Sequence, residues 1–325
     1  MRSDVRVLPA AFLERLRRVV PASRWDAIVN TFTQPKPTTF RVNTLKASAP
    51  DVRQRLTAHG LLVEPVPWYR DAFLVRRGSL RELQDTALYR SGAIYVQSLS
   101  SMLPPLVLDP QPGETVLDLT AAPGSKTTQI ACLMRGEGRI VANDNHRIRG
   151  YKLRANIAQQ GARNVEVTLR DGGSFGRQQP EAFDRVLVDA PCSAEGRFLV
   201  HEPGSFRYWK PRKIAEMARK QRRLLVSAIQ AVRPGGVVVY STCTFAPEEN
   251  EAVIDWALTT GVRHLSRFER CLTPVEVETV ALDCPNRLAG LTSWDGAAFH
   301  PSLARAVRIA PTALMEGFFI ARLRK

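Results

Sequence analysis

The stretch T-V-L-D-L-T-A-A-P-G-S-K-T, Thr115 to Thr127, decides how the rest of the chain is read. Its first five residues make an apolar strand, its last residues open a helix, and the turn between them is built from small side chains. A strand passing straight into a helix is the repeating unit of a parallel sheet, and the alternation continues downstream. Arg139–Asn143 is a strand ending at Asp144, and a helix follows over Arg147–Gln160, stopped by Gly161. Val165–Leu169 is a strand ending at Asp171, and Arg185–Val188 runs on to Asp189 and Cys192. A long helix covers Arg212–Val232, the strand from Val237 ends at Cys243, and a helix covers Glu248–Leu258. Glu316–Leu323 closes the pattern as a strand. This predicts an α/β domain with a mostly parallel sheet and helices on both faces.

Upstream the pattern changes. Ala11–Val20 has apolar residues at helical spacing, and Thr38–Leu45 reads as a strand. Ser48 caps a helix with Pro50 in its first turn, and Gly60 stops it after His59. Leu61–Val66 and Ala72–Val75 are two further strands. This βαββ order predicts a small α+β module over residues 1–88, with the larger domain at 89–325 and the boundary within Arg76–Gly92.

The chain has 325 residues, enough for two domains, and 44% are hydrophobic, enough for a large core. Its 46 Lys and Arg against 31 Asp and Glu leave a net charge of +15, which points to a polyanionic partner, nucleic acid first. The plainer reading is an Arg-rich surface. Five cysteines without regular spacing predict no disulfide scaffold and a reducing cytoplasm. His264, Cys271 and Cys284 share a region but no zinc spacing, so no metal is expected. No apolar run reaches membrane-span length, and the N-terminal stretch, with Asp4 and Glu14, reads as the first helix rather than a targeting segment.

In an open α/β sheet, ligands bind outside the carboxyl ends of the strands. The loop after Leu119, together with Asp144, Asp171, Asp189, Cys192 and Cys243, lies at such ends, so these groups should converge on one crevice. The small-residue turn from Thr120 to Lys126 lets a ligand approach the backbone and a helix N-terminus, although any α/β protein needs small residues there. It matches neither a dinucleotide fingerprint nor a phosphate loop. Asp144 is placed to accept ribose hydroxyls or to cap a helix. Asp171 has the same two uses. Two cysteines and an aspartate at one pocket suggest nucleophilic catalysis, with Lys126 as a nearby cation; alone, each cysteine would be a buried small hydrophobe. That ordinary role is expected of Cys132, Cys271 and Cys284.

At this point an ordered set of motifs resembles the RsmB/NSUN family of S-adenosylmethionine-dependent RNA cytosine-C5 methyltransferases. Asp118–Thr127 is similar to its cofactor loop, and Ala142-Asn-Asp144 with Arg149 to its ribose-binding step. Asp189-Ala-Pro-Cys-Ser193 is similar to the motif of its first cysteine, and Ser241-Thr-Cys-Thr244 followed by Pro247-Glu-Glu-Asn-Glu251 to that of its nucleophile. Arg41-Val-Asn-Thr-Leu-Lys46, Tyr95–Met102 and Gly317–Arg322 also fit. The resemblance covers nearly the whole chain and implies a Rossmann-like class I methyltransferase domain.

It also implies site roles. S-adenosyl-L-methionine would bind along Thr120, Ala121, Ala122, Pro123, Gly124, Ser125 and Lys126, with Asp144, Arg149, Asp171 and Asp189 around it. Cys243 would attack C6 of the cytosine and Cys192 would assist product release. Asp189, when protonated, would hydrogen-bond the base near N3, and Lys126 would hold Asp189 or the base. Arg149 would position the cofactor or brace the helix after Asp144. Two residues depart from the family loop, which usually starts with cysteine and carries two glycines before the lysine: Thr120 and Ser125. A positive φ at Ser125 would strain the loop.

The substrate implied is an RNA cytidine, ribosomal before transfer RNA, flipped or already unpaired. The stretch Arg207–Arg223 holds eight basic residues against Glu216, with Tyr208 and Trp209 at its start as candidate stacking platforms; its plainer reading is a solvated helix face. A monomer without membrane association is expected, and no further C-terminal RNA-binding domain. A catalytically inactive RNA-binding assembly factor is the alternative. An amino-directed methyltransferase would carry an N/D-P-P-aromatic motif in place of Asp-Ala-Pro-Cys.

Overall fold

The computed structural model describes residues 3–261 and 274–325, so His264 and Cys271 lie outside the described residues. Helix α1 (Ala10–Val19) buries Phe12, Leu16 and Val19, as its spacing predicts, and exposes Arg17 and Arg18. Helix α2 (Trp25–Asn30) buries Ile28 and Val29. Strand β1 (Thr39–Val42) leads to α3 (Ala49–Ala58), whose N-cap Ser48 accepts the Asp51 N–H. Strands β2 (Leu62–Val66) and β3 (Tyr69–Arg77) follow, then short helices α4 (Leu80–Gln84) and α5 (Ala87–Arg90), and strand β4 (Ile94–Val96). The four strands form an antiparallel sheet in the order β2-β3-β1-β4.

This differs from the expected module over 1–88 in two ways. The sheet takes its edge strand β4 from beyond residue 88, because β4 pairs with β1. The first two helices do not cover this sheet. Phe12, Leu16, Ile28 and Phe32 pack with Phe198, Phe206, Trp209 and Phe245 from the larger half of the chain. Apolar burial therefore draws the N-terminal helices to the far side of the site.

Helix α6 (Leu99–Leu108) bridges the two sheets with nearly every side chain buried. The larger half then alternates β5 (Thr115–Asp118), α7 (Ser125–Leu133), β6 (Arg139–Asn143), α8 (Arg147–Gln160), β7 (Val165–Thr168), α9 (Gly172–Gln178), β8 (Phe183–Asp189), α10 (Pro211–Ala231), β9 (Val232–Thr242) and α11 (Glu251–Trp256). Beyond the undescribed residues come β10 (Glu276–Glu278), β11 (Arg287–Ala289), the hairpin β12 (Ser293–Trp294) and β13 (Ala297–Ala298), β14 (Val307–Ile309) and β15 (Phe318–Arg324).

The main sheet runs β11-β14-β15-β9-β8-β5-β6-β7, with β10 on β15. Strands β5 to β9 are mutually parallel, and β15 joins β9 antiparallel. One face buries Ile130 of α7, Leu153 of α8 and Leu103 of α6; the other buries Leu225 and Ile229 of α10 and Ile254 of α11. The chain moves outward from β5 to β6 and β7, then returns to β8 on the other side of β5. That reversal opens a crevice at the carboxyl ends of β5 and β8. The register pairs Asp189 with Ser241, which brings the two cysteine-bearing loops side by side.

The Arg41–Lys46 motif fastens the small sheet to this domain. Arg41 is fully buried; Nε donates to Gln97 Oε1 (2.9 Å) and Nη2 to Thr128 Oγ1 (2.6 Å) and the Ser125 carbonyl (3.1 Å). Asn43 Nδ2 donates to the carbonyls of Gly92 (2.8 Å) and Gln160 (2.7 Å). Cys132 and Cys284 are buried, and their thiols reach Asn43 Oδ1 and Asn286 Oδ1 respectively.

Candidate active site

A cleft of about 700 Å³ opens over the carboxyl ends of β5, β6, β8 and β9. Thr120, Ala121, Ala122, Pro123, Ser125, Lys126, Asp144, Arg149, Asp171, Asp189, Cys192 and Cys243 all line it. Gly124 lies beneath instead. It is the N-cap of α7 at φ 105°, and an added Cβ would meet Leu153 Cδ1 at 3.0 Å. The left-handed position thus falls on Gly124, and Ser125 opens the helix without a positive φ. The strain considered for Ser125 does not arise. Thr120 does more than fill the place of a cysteine, since its hydroxyl donates to the Asp189 carbonyl (2.9 Å) and ties the loop to β8.

Asp144 is buried and bonded within the chain. Its Oδ2 accepts the Ala122 N–H (3.2 Å) and faces Arg149 Nη2 (3.2 Å), and its Oδ1 accepts the His146 N–H (2.9 Å). Arg149 also donates to the Ala122 carbonyl, so it braces the loop against α8. Asp171 is the N-cap of α9, accepts the Gly173 N–H (3.1 Å) and pairs with Arg223 (3.1 Å). Asp118 also lines the cleft: its Oδ2 accepts from Thr127 Oγ1 (2.7 Å), and among the described residues Oδ1 has no side-chain hydrogen-bond partner. Burial pushes this carboxyl up to about 7.

At the other end of the cleft, Cys192 Sγ and Cys243 Sγ stand 3.3 Å apart. The hydrogen bond with Cys243, then burial, pushes the Cys192 thiol well above its usual range. Lys126 Nζ pairs with Asp189 Oδ2 (2.7 Å) and donates to Ser101 Oγ (2.8 Å). Its ammonium therefore serves Asp189, and its hydrogen bonds within the described residues reach neither sulfur. Ser241 Oγ donates to Asp189 Oδ1 (2.8 Å), so both carboxylate oxygens are oriented. Ser101 and Ser241 both sat inside motifs noted in the sequence, but only the folded chain assigns them partners.

Two fully buried glutamates brace the cysteine loops. Glu195 Oε2 accepts Thr244 Oγ1 (2.9 Å) and the Phe245 N–H (3.1 Å), and its Oε1 accepts Trp209 Nε1 (2.8 Å). Glu249 Oε2 accepts the Ser193 N–H (3.0 Å) and Gln221 Nε2 (2.8 Å). Burial raises both carboxyls, Glu249 to about 7.

One expectation is corrected here. Trp209 is no stacking platform, because it is buried among Phe12 and Phe198 and spends its indole N–H on Glu195. Tyr208 is 72% exposed, with the Arg207 guanidinium 4.4 Å from its ring centre. Of the basic residues of α10, Arg212, Lys213, Arg219, Lys220 and Arg223 are exposed while Arg222 is half-buried over Trp256, and Lys220 and Arg223 reach the rim of the cleft.

Comparison with known proteins resolves the family. The 16S rRNA methyltransferase RsmB/F family matches residues 105–324, which span the cleft from β5 to β15. The chain belongs to this family. The N-terminal domain of 16S rRNA methyltransferase RsmF matches residues 8–99, a span that includes β4. Ribosomal RNA small subunit methyltransferase F of Klebsiella pneumoniae is 40% identical over 324 residues, covering 98% of this chain and 63% of the relative. Its counterpart from Cronobacter sakazakii is 39% identical with the same coverage. The chain thus spans less than two thirds of these curated relatives. A methyltransferase homologue from Pyrococcus horikoshii superposes with a TM-score of 0.78 at 34% identity, covering 98% of this chain and all of that one. NSun6 from the same organism, solved with SFG, superposes at 0.77 with 23% identity and covers 99% of each chain. These two structures share the class I methyltransferase fold found here.

Proposed function

We propose that this RsmB/F chain transfers a methyl group from S-adenosyl-L-methionine to C5 of an RNA cytidine, with Cys243 as the nucleophile. The observation that carries the reading is the pair of thiols 3.3 Å apart, in the cleft where Lys126 orients Asp189. The residues fit the cofactor. Thr120–Lys126 would hold it along the cleft floor, with Asp144 and Arg149 on the side of its ribose and the buried Asp118 in the wall beside it. When bound, S-adenosyl-L-methionine supplies an electrophilic methyl group.

C5 of cytosine is a weak nucleophile, and the thiolate of Cys243 overcomes this by bonding to C6. Electron density then moves to C5 as the ring becomes an enamine. Asp189, presented by Lys126 and Ser241, would be protonated when it meets the base edge, donating to N3 and so stabilising the negative charge that forms there. After methylation the C5 proton passes to solvent water, its electron pair re-forms the C5–C6 double bond, and the S–C6 bond breaks with its pair returning to the Cys243 sulfur. Cys192 assists this release by hydrogen-bonding the departing sulfur.

The exposed basic face of α10, with Tyr208 beside it, is the surface proposed to hold the RNA. The relatives named for the small ribosomal subunit favour ribosomal over transfer RNA. We place this reaction in the cytoplasm, carried out by a single chain. Bisulfite sequencing of RNA from a strain lacking the gene, before and after incubation with the purified chain and cofactor, tests the reading. A new protected cytidine in ribosomal RNA is expected; no protected cytidine in any RNA would overturn it.

A further inference from the structure

The two cysteine loops are held by different means. The Cys243 side is fixed by Glu195, which accepts from both residues after the cysteine, and by the Gly196 N–H, which donates to the Cys243 carbonyl (2.9 Å). The Cys192 side is gripped on both flanking residues. Gln221 Nε2 donates to the Pro191 carbonyl (2.9 Å) and to Glu249 Oε2 (2.8 Å), and the same oxygen of Glu249 accepts the Ser193 N–H (3.0 Å). Both side chains are fully buried.

We infer that Gln221 and Glu249 are the positioning residues for Cys192. They clamp the peptides on either side of it and hold its sulfur against Cys243, and Gln221 does so from the helix that carries the basic face. Neither lines the cleft. The inference rests on the proposed reading that Cys192 serves release rather than attack. It divides the labour between the two buried carboxyls: Glu195 serves bond formation, and Glu249 with Gln221 serves bond breaking.

The test uses the full chain with target RNA and cofactor. Three quantities are followed: methyl transfer in a single turnover, protein–RNA adduct stable to denaturant, and the multiple-turnover rate. Gln221→Leu keeps the volume and removes both donated bonds. It should transfer the methyl in a single turnover at a rate close to that of the unsubstituted chain. Its multiple-turnover rate should fall about 10- to 100-fold, with adduct accumulating. Glu249→Ala should behave alike. Glu249→Gln, which keeps an oxygen for Ser193 and Gln221, should restore turnover. If Gln221→Leu does not fold, Gln221→Asn, whose shorter amide cannot span Pro191 and Glu249, gives the same reading.

Loss of adduct and methyl transfer in equal proportion would reduce the pair to a structural role and overturn the inference. Unchanged release in Gln221→Leu and Glu249→Ala would overturn it as well. If the unsubstituted chain makes neither adduct nor 5-methylcytidine, the functional reading fails; if it makes both and the variants match it, only the clamp fails.

Discussion

The buried ion pair behind the Cys243 loop offers a direct test of how the site is supported. Arg308 on β14 and Glu251 at the start of α11 are 5% and 0% exposed. Arg308 Nε donates to Glu251 Oε1 (2.7 Å), its Nη2 pairs with Glu251 Oε2, and its Nη1 donates to the Phe245 carbonyl (2.9 Å), two residues past Cys243. Arg308→Met strands the Glu251 charge and that carbonyl. Removing one partner of such a pair costs about 3–5 kcal/mol. At about 2 °C per kcal/mol for a chain of this size, the midpoint of thermal unfolding should drop by roughly 6–10 °C. Glu251→Gln in the same chain removes the stranded charge while keeping an acceptor for the Leu291 N–H, which Glu251 Oε1 now accepts at 2.9 Å. The double variant should therefore recover at least about 2 kcal/mol of the loss. Calorimetry on the two singles and the double completes the cycle. A loss below about 1 kcal/mol in Arg308→Met, or a double variant no better than the single, would refute the reasoning.

Three more outcomes follow from the same geometry. Asp118 is raised by burial from 3.8 to about 7, so the folded state holds a proton that the unfolded chain releases across that range. Its contribution is greatest below 3.8 and is lost as pH rises to about 7, by no more than ~4 kcal/mol; unfolding midpoints from pH 4 to 8 should fall more steeply in the unsubstituted chain than in Asp118→Asn. Gly196→Ala would set a Cβ 2.2 Å from the Gly317 carbonyl and 2.9 Å from that of Cys243, so single-turnover methylation should drop about 100-fold or more. Tyr208→Ala should weaken RNA binding by about tenfold in a filter assay at unchanged thermal stability, whereas Trp209→Ala should cost about 3–5 kcal/mol of stability.

What the sequence revealed and what it hid have physical causes. The strand-end residues were legible because a parallel sheet has few ways to place them: Asp189 and Ser241 share a register row, and Cys192 and Cys243 follow from it. The end of the Arg147–Gln160 helix was legible because Gly161, at φ 70°, stops it. Strand β4 was not, since three residues carry no period, and its assignment needs β1 to pair with it. In β1 all four residues are buried, so alternation could not show that Arg41 points inward. Trp209 was misread because its neighbours in sequence are basic, while its neighbours in space, Phe12 and Phe198, come from distant segments. Glu195 and Gln221 carry no local signature, and Glu249 sits inside a noted motif without a role, because a buried polar side chain is identified only by the groups that fold around it.

The assignment of the two thiols is tested most directly by trapping. The unsubstituted chain, Cys192→Ala and Cys243→Ala are each incubated with target RNA and S-adenosyl-L-methionine, then resolved under denaturing conditions. The account predicts a covalent protein–RNA species that accumulates in Cys192→Ala and is absent in Cys243→Ala. An adduct in Cys243→Ala, with none in Cys192→Ala, would contradict it.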